Sequence, residues 1–155
     1  MKLLLPLFAI VSLSVAAFAG EVDPASLVGK PLPALTGLDF FKQKPDLKGK
    51  PVLVEFWATW CPPCRQTIPH LNKIYEKLHP KGFEVVGITD EPNQTIRSFV
   101  KSVPIDYPVA SDRRNLGAEF GITSIPHAFL VDKSGKIVWQ GHPMTLEEKQ
   151  IEDLL

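Results

Sequence analysis

The chain has 155 residues, 45% hydrophobic and 22% charged, a balance that fits one globular domain with a sizeable core. Seventeen basic side chains match seventeen acidic ones, so no net field draws the protein to nucleic acid or to an anionic membrane surface. Charge points to no particular partner.

The first nineteen residues differ in kind from the rest. MKLLLPLFAIVSLSVAAFA carries one positive charge at Lys2, an apolar run from Leu3 and the small-x-small ending Ala17-Phe18-Ala19, which together read as a secretory signal cleaved before Gly20. The competing reading is an uncleaved anchor, although the run falls short of the roughly 20 apolar residues that span a bilayer. Residues 20–155 are then the working chain, expected in the periplasm or otherwise exported.

The Pro-rich lead EVDPASLVGKPLPAL reads as an extended arm laid on the body. Beyond it, strand-like runs (KPVLVEFWA, GFEVVGITD, DYPVAS, HAFLVD, KIVWQG) alternate with helical patterns (PPCRQTIPHLNKIYEKL, PNQTIRSFVKS, RRNLGAEF, TLEEKQIEDLL). That alternation implies βαβ units around a mostly parallel central sheet. The last two strands are joined by the short turn DKSGK, with Gly135, which makes them an antiparallel hairpin. TLEE is a capping box, with Thr145 at the N-cap and Glu148 three residues on, and it starts a closing helix. No repeat, low-complexity tract or linker divides residues 20–155, so they are expected to form one domain.

Both cysteines lie in VEFWATWCPPCRQ. The residues Val52 to Trp57 are expected as a strand, the chain turns over Ala58 to Trp60, and a helix begins at Cys61. Pro62 and Pro63 fall in its first turn, where a missing N–H costs least. Free N–H groups and the positive end of the helix dipole favour a thiolate at Cys61, the nucleophilic form. Cys64 lies one turn deeper on nearly the same face, within reach of a mixed disulfide formed by Cys61. Cys61 is thus assigned the attack and Cys64 the resolution. A purely structural bridge is the alternative, but closing so short a loop restricts the unfolded chain little.

These features resemble the thioredoxin superfamily, and within it the exported TlpA/ResA-like thiol-disulfide oxidoreductases. VEFWATWCPPC is similar to that group's active-site strand and motif. Pro69 matches the proline that kinks the active-site helix, and GITSIPHAFLVDKSGKIVWQGHP resembles the cis-proline segment and the hairpin beyond it. The resemblance implies an α/β thioredoxin fold, a central mixed sheet flanked by helices, with a βα insertion between Thr89 and Ile125. It further implies a cis bond at Ile125-Pro126 opposite the cysteines, where Ile125 backbone groups would pair with an extended substrate segment. Trp57 is implied to pack under the site, and Trp60 to shield Cys61 at the surface. Trp60, Pro62, Pro63, Ile125 and Pro126 form the implied substrate face.

Glu55 is the one charge in the apolar strand before the motif. Alternation puts it on the side of Leu53 and Trp57, and a central strand is covered on both faces, so it is expected buried beneath the active-site helix. Burial should raise its pKa into a range suited to passing protons to and from Cys64. The alternative is a strand-end glutamate facing solvent. His127 could tune Cys61 if its ring turned toward the thiol, the plainer reading being a surface histidine at a strand end, while His70, His79 and His142 receive no role.

The function expected is exchange of dithiol and disulfide with protein substrates outside the cytoplasm, by a monomer with no cofactor beyond the Cys61-Cys64 disulfide and no bound metal. The resemblance implies a membrane thiol reductase as electron donor and clients in cytochrome c maturation or a similar reducing pathway. A copper or zinc carrier is the first alternative, weakened because a closed zinc site needs four ligands and only scattered histidines remain. A thiol peroxidase is the second, weakened because Thr59 stands two residues before Cys61 rather than three.

Overall fold

A computed structural model describes residues 26–155, and the expected signal segment lies outside them. The elements run β1 (Leu38–Phe40), β2 (Val52–Phe56), α1 (Pro62–Leu78), β3 (Glu84–Thr89), α2 (Asn93–Phe99), β4 (Val109–Asp112), α3 (Leu116–Glu119), β5 (His127–Val131), β6 (Ile137–Gly141) and α4 (Glu148–Glu152). The strands make one sheet in the order β1-β4-β3-β2-β5-β6. The fold is the α/β thioredoxin arrangement expected.

The pairing is more antiparallel than the alternation implied. β2 runs parallel to β3, and β3 to β4, but β5 pairs antiparallel with both β2 and β6, and the short β1 lies antiparallel on β4. Strand direction follows the path of the connections, which apolar periodicity does not report. β1 was not foreseen; its three half-buried residues are too few to show a period.

Each face of the sheet buries its own cluster. Leu53 and Trp57 join Cys64, Ile68, Leu71 and Leu78 of α1 on one face, while Val52, Val54 and Phe56 join Val86, Phe120 and Phe129 on the other. α1 is amphipathic by spacing, with Cys64, Thr67, Ile68, Leu71, Ile74 and Leu78 buried at intervals of three and four. It occupies the residues expected, apart from Cys61, which is its N-cap, and it ends at the His79 cap. The described part of the N-terminal arm, residues 26–35, lies on the body as expected. Its Gly29 and Leu32 N–H groups donate to Ile137 and Gly135 carbonyls at 2.8 Å, and Leu27, Leu32 and Leu35 pack against the second cluster.

The other helices are shorter than their sequence patterns. α2 stops at Phe99 and passes into a turn closed by the Val103 N–H on Phe99 O at 3.0 Å, and Pro104 prevents further helix. Before α3, the Asp112 carboxylate accepts the N–H groups of Arg114 at 2.8 Å and Leu116 at 2.5 Å, which holds residues 113–115 in a turn. The capping box is also displaced. Thr145 sits in a 3₁₀ turn with its hydroxyl donating to His142 O at 2.8 Å, and the box is formed instead by Glu147 and Gln150.

Gly87 of β3 is opposite Glu55 in the parallel pair, and it lacks a side chain for a steric reason. A Cβ there would lie 3.0 Å from Trp57 Nε1 and 3.2 Å from Tyr107 Cε2. Both rings are almost fully buried and have little room to give. Gly87→Ala is therefore expected to overpack this layer and cost about 1–3 kcal/mol. The measurement is urea unfolding, where the midpoint should fall with the slope unchanged; an unaltered midpoint would show that the rings can move aside.

Candidate active site

The end of β2 and the start of α1 bring the motif together. Trp57 N–H still pairs with Ile88 O of β3 at 3.0 Å, the chain turns through Ala58 to Trp60, and Cys61 N–H closes the turn on Ala58 O at 3.2 Å. Cys61 caps α1, and Pro62 and Pro63 fill the first two helical positions. The first N–H that the helix can offer is therefore that of Cys64, and it donates to Cys61 Sγ at 3.2 Å.

Cys61 and Cys64 are joined in a disulfide with Cα atoms 5.3 Å apart. Cys64 is wholly enclosed, and Cys61 is only 3% exposed. The surface beside them is made by Trp60, at 68% exposure, with Pro62 and Pro63 also exposed. Ile125-Pro126 is a cis peptide bond, and Ile125 O lies 3.8 Å from Cys61 Sγ. A groove of about 200 Å³ opens next to this point, with Trp60, Ile125, Ile122, Phe56, Trp57 and Ile88 among its lining residues. Pro69 lies inside α1, where it lacks the N–H that would bond to Arg65 O.

Glu55 is fully buried on the α1 side of the sheet, flanked in register by Gly87 and Ala128. Those two small neighbours leave room for its side chain. It is not unpaired, as a lone carboxylate in an apolar strand would be. The Thr67 hydroxyl lies 2.8 Å from Glu55 Oε1, and the Tyr107 hydroxyl lies 3.1 Å from Oε2. Burial pushes the Glu55 carboxyl from the usual 4.5 up to about 7, although these two hydroxyls pull it down. Burial and the neighbouring Glu55 together hold the Tyr107 phenol well above its ordinary value.

The Thr67 hydroxyl is also 2.8 Å from the Cys64 carbonyl oxygen. One hydroxyl proton cannot serve both acceptors fully. If Glu55 is protonated, its own O–H can donate to Thr67 while Thr67 donates to Cys64 O, and every group is satisfied. Glu55 thus reaches the backbone of Cys64 through Thr67. Sequence reasoning missed Thr67, although its position three residues after Cys64 puts it on the buried helix face. Tyr107 arrives from a distant segment and had no local signal.

His127 does not approach the disulfide. It shares the β5 face of Phe129, with ring centroids 5.0 Å apart, and belongs to the side of the sheet opposite the cysteines. Its pKa is lowered by burial. Among the described residues no three His, Cys, Asp or Glu side chains gather in a way that could hold a metal ion.

The chain is similar to known proteins. The family model of the AhpC/TSA family matches residues 28–140. The thiol-disulfide oxidoreductase ResA of Bacillus thuringiensis strain Al Hakam is 36% identical over 118 residues, covering 73% of this chain and 68% of that protein. A thioredoxin-family thiol:disulfide interchange protein of Chlorobium tepidum TLS superposes with a TM-score of 0.66 at 30% identity, covering 81% of this chain and 97% of that one. A thiol:disulfide interchange protein from a Bacteroides species gives a TM-score of 0.69 at 28% identity, covering 83% and 90%. The chain therefore belongs to the AhpC/TSA family, as one of its thioredoxin-like thiol-disulfide oxidoreductases with a Cys-Pro-Pro-Cys active site.

Proposed function

We propose that this oxidoreductase reduces protein disulfides outside the cytoplasm, in cytochrome c maturation or a similar thiol-reducing pathway, with electrons delivered by a membrane thiol reductase. The observation that carries the reading is the redox pair itself, a disulfide at a helix start with a buried carboxyl one side chain away. The export half rests on the signal-like first nineteen residues. The redox group is the Cys61-Cys64 pair alone, and the working form is a monomer.

The reduced protein acts in two steps. The Cys61 thiolate attacks one sulfur of the client disulfide, forming a mixed disulfide and releasing the other client sulfur as a thiolate. Cys64 then gives up its proton, attacks Cys61 Sγ, closes the Cys61-Cys64 bond and releases the second client thiolate. Glu55, tied to the Cys64 backbone by Thr67, takes that proton, and a carboxyl near pKa 7 is poised to do so at neutral pH. Trp60, Pro62, Pro63, Ile125 and Pro126 form the client-facing surface.

Direction follows from the two prolines. They remove two N–H donors from the helix start, so the Cys61 thiolate has one backbone donor, Cys64 N–H. A thiolate held by few donors disfavours the reduced dithiol, which makes the disulfide hard to reduce and the dithiol a reductant. Equilibration with glutathione buffers should give a potential below about −200 mV, and a value near −120 mV would reverse the assigned direction. The Cys64→Ser variant should accumulate mixed disulfides through Cys61 and so identify the client; exported proteins with cytochrome-type cysteine pairs are expected among those captured.

Proton handling by Glu55 is tested in two ways. Glu55→Gln should slow resolution by about 100-fold or more and leave the first attack by Cys61 less affected. Stopped-flow fluorescence of Trp57 and Trp60 can follow both steps, and an unchanged resolution rate between pH 6 and pH 9 would make Glu55 structural only. Stability gives the second readout. A carboxyl whose folded pKa is raised keeps its full contribution below about pH 4.5 and loses it as pH rises toward 7. Wild-type oxidised protein should lose about 3 kcal/mol across that window, and Glu55→Gln should not, so the variant becomes the more stable of the two above pH 7. Parallel urea curves at all pH values would contradict the buried acid.

A further inference from the structure

We propose that Glu91 is a positioning residue for the active site, pinning the turn that carries Trp60 and Cys61 to the end of β3. The proposal rests on reading Cys61-Cys64 as the exchanging pair, and it concerns geometry, not proton transfer. Glu91 lies two residues beyond β3, half-buried, on the connection to α2. Its Oε2 accepts the Thr59 N–H at 2.6 Å and its Oε1 accepts the Thr59 hydroxyl at 2.6 Å. The carboxylate is itself braced. The Thr89 hydroxyl lies 3.2 Å from Oε2, and the Glu91 N–H donates to Thr89 Oγ1 at 3.3 Å.

The place of Thr59 gives this grip its meaning. Ladder pairing of β2 with β3 ends at the Trp57 N–H, and the helix is not entered until Pro62. Thr59 is in the middle of the gap, two residues before Cys61. Both oxygens of one carboxylate take both donors of one residue, so the contact fixes orientation as well as position, and charge-assisted bonds of this length are strong. A fixed Thr59 in turn fixes Cys61, whose Sγ must lie against both Cys64 N–H, at 3.2 Å, and Ile125 O, at 3.8 Å. Apolar packing holds Ala58 and Cys61 on either side, but Thr59 is half-exposed and Trp60 is mostly in solvent, so the middle of the turn relies on the carboxylate. Glu91 belongs to the segment between Thr89 and Ile125 that was read as an insertion, so this segment reaches back to hold the catalytic turn.

Three variants of the full chain separate geometry from charge. In Glu91→Gln the amide oxygen can accept the Thr59 N–H while the NH₂ donates to Thr59 Oγ1 after the hydroxyl turns round, so the two-point grip survives without charge. Glu91→Asp keeps the charge and loses a methylene of reach, and Glu91→Ala loses both. Single-turnover reduction of insulin disulfides at pH 7 by the reduced protein should stay close to wild type for Gln and fall about 10- to 100-fold for Asp and Ala. The pH profile of iodoacetamide alkylation at Cys61, located by mass spectrometry, should move for Asp and Ala and stay in place for Gln. Urea midpoints identify any variant that fails to fold, and Asp carries the test if Ala does. Gln falling as far as Ala, or Asp and Ala matching wild type, overturns the proposal. A wild-type protein that reduces no disulfide overturns the exchange reading instead, and the alkylation profiles still decide the role of Glu91.

Discussion

A carboxyl group enclosed in the central strand constrains much of what surrounds it. Burying Glu55 in an apolar sheet carries a cost of several kcal/mol if the group is ionised and without partners. The fold meets that cost by keeping small residues on either side, Gly87 and Ala128, and by bringing hydroxyls from α1 and from the segment just before β4. The empty space at Gly87 also admits Trp57 and Tyr107, so the same absence of a methyl group serves the acid, its phenol partner and the indole beneath the motif. The sheet is thus built around a polar group, and the apolar clusters on its faces leave that group an enclosed, hydrogen-bonded compartment.

How much of this was legible beforehand depends on the range of each interaction. α1 could be read almost residue for residue, because its prolines, its three-and-four spacing and its end all lie within the segment. Burial of Glu55 followed from placing β2 in the centre of the sheet, covered on both faces, and its side from the alternation along the strand. The partners of Glu55 did not follow, since Tyr107 is 52 residues away and nothing local in its segment distinguishes a phenol aimed at a carboxyl from one that is simply core. The Glu91 contact spans 32 residues and joins two loops, the elements with the weakest periodic signal. Direction of β5 was likewise invisible, because the same five residues would read alike in either orientation. The cis bond at Ile125-Pro126 was expected from resemblance alone, composition being silent on it.

The two sides of the sheet divide the work. The side of α1 holds the disulfide, Glu55, Thr67 and Tyr107, while the other is closed by α3 and by an arm whose backbone is stitched to the β6 hairpin. His127 shows the division most simply. It is next in chain to the cis-proline and yet, one step along the pleat, its ring joins Phe129 on the far side. Closeness in sequence to a catalytic feature is a poor guide wherever a strand intervenes.

The two prolines of the motif have a consequence for how long a client stays attached. Each ring locks one backbone torsion, so the segment linking Cys61 to Cys64 has few conformations to lose when the bridge closes. The Cys64 sulfur is then presented to a mixed disulfide at an effective molarity far above that of any free thiol, and release becomes a fast internal step. If the protein acts on clients as proposed, the covalent bond to each is accordingly brief. On the proposed reading, recognition has to be completed by noncovalent contact before the sulfurs meet, and the exposed indole of Trp60 beside the Ile125 groove offers apolar surface for that first encounter.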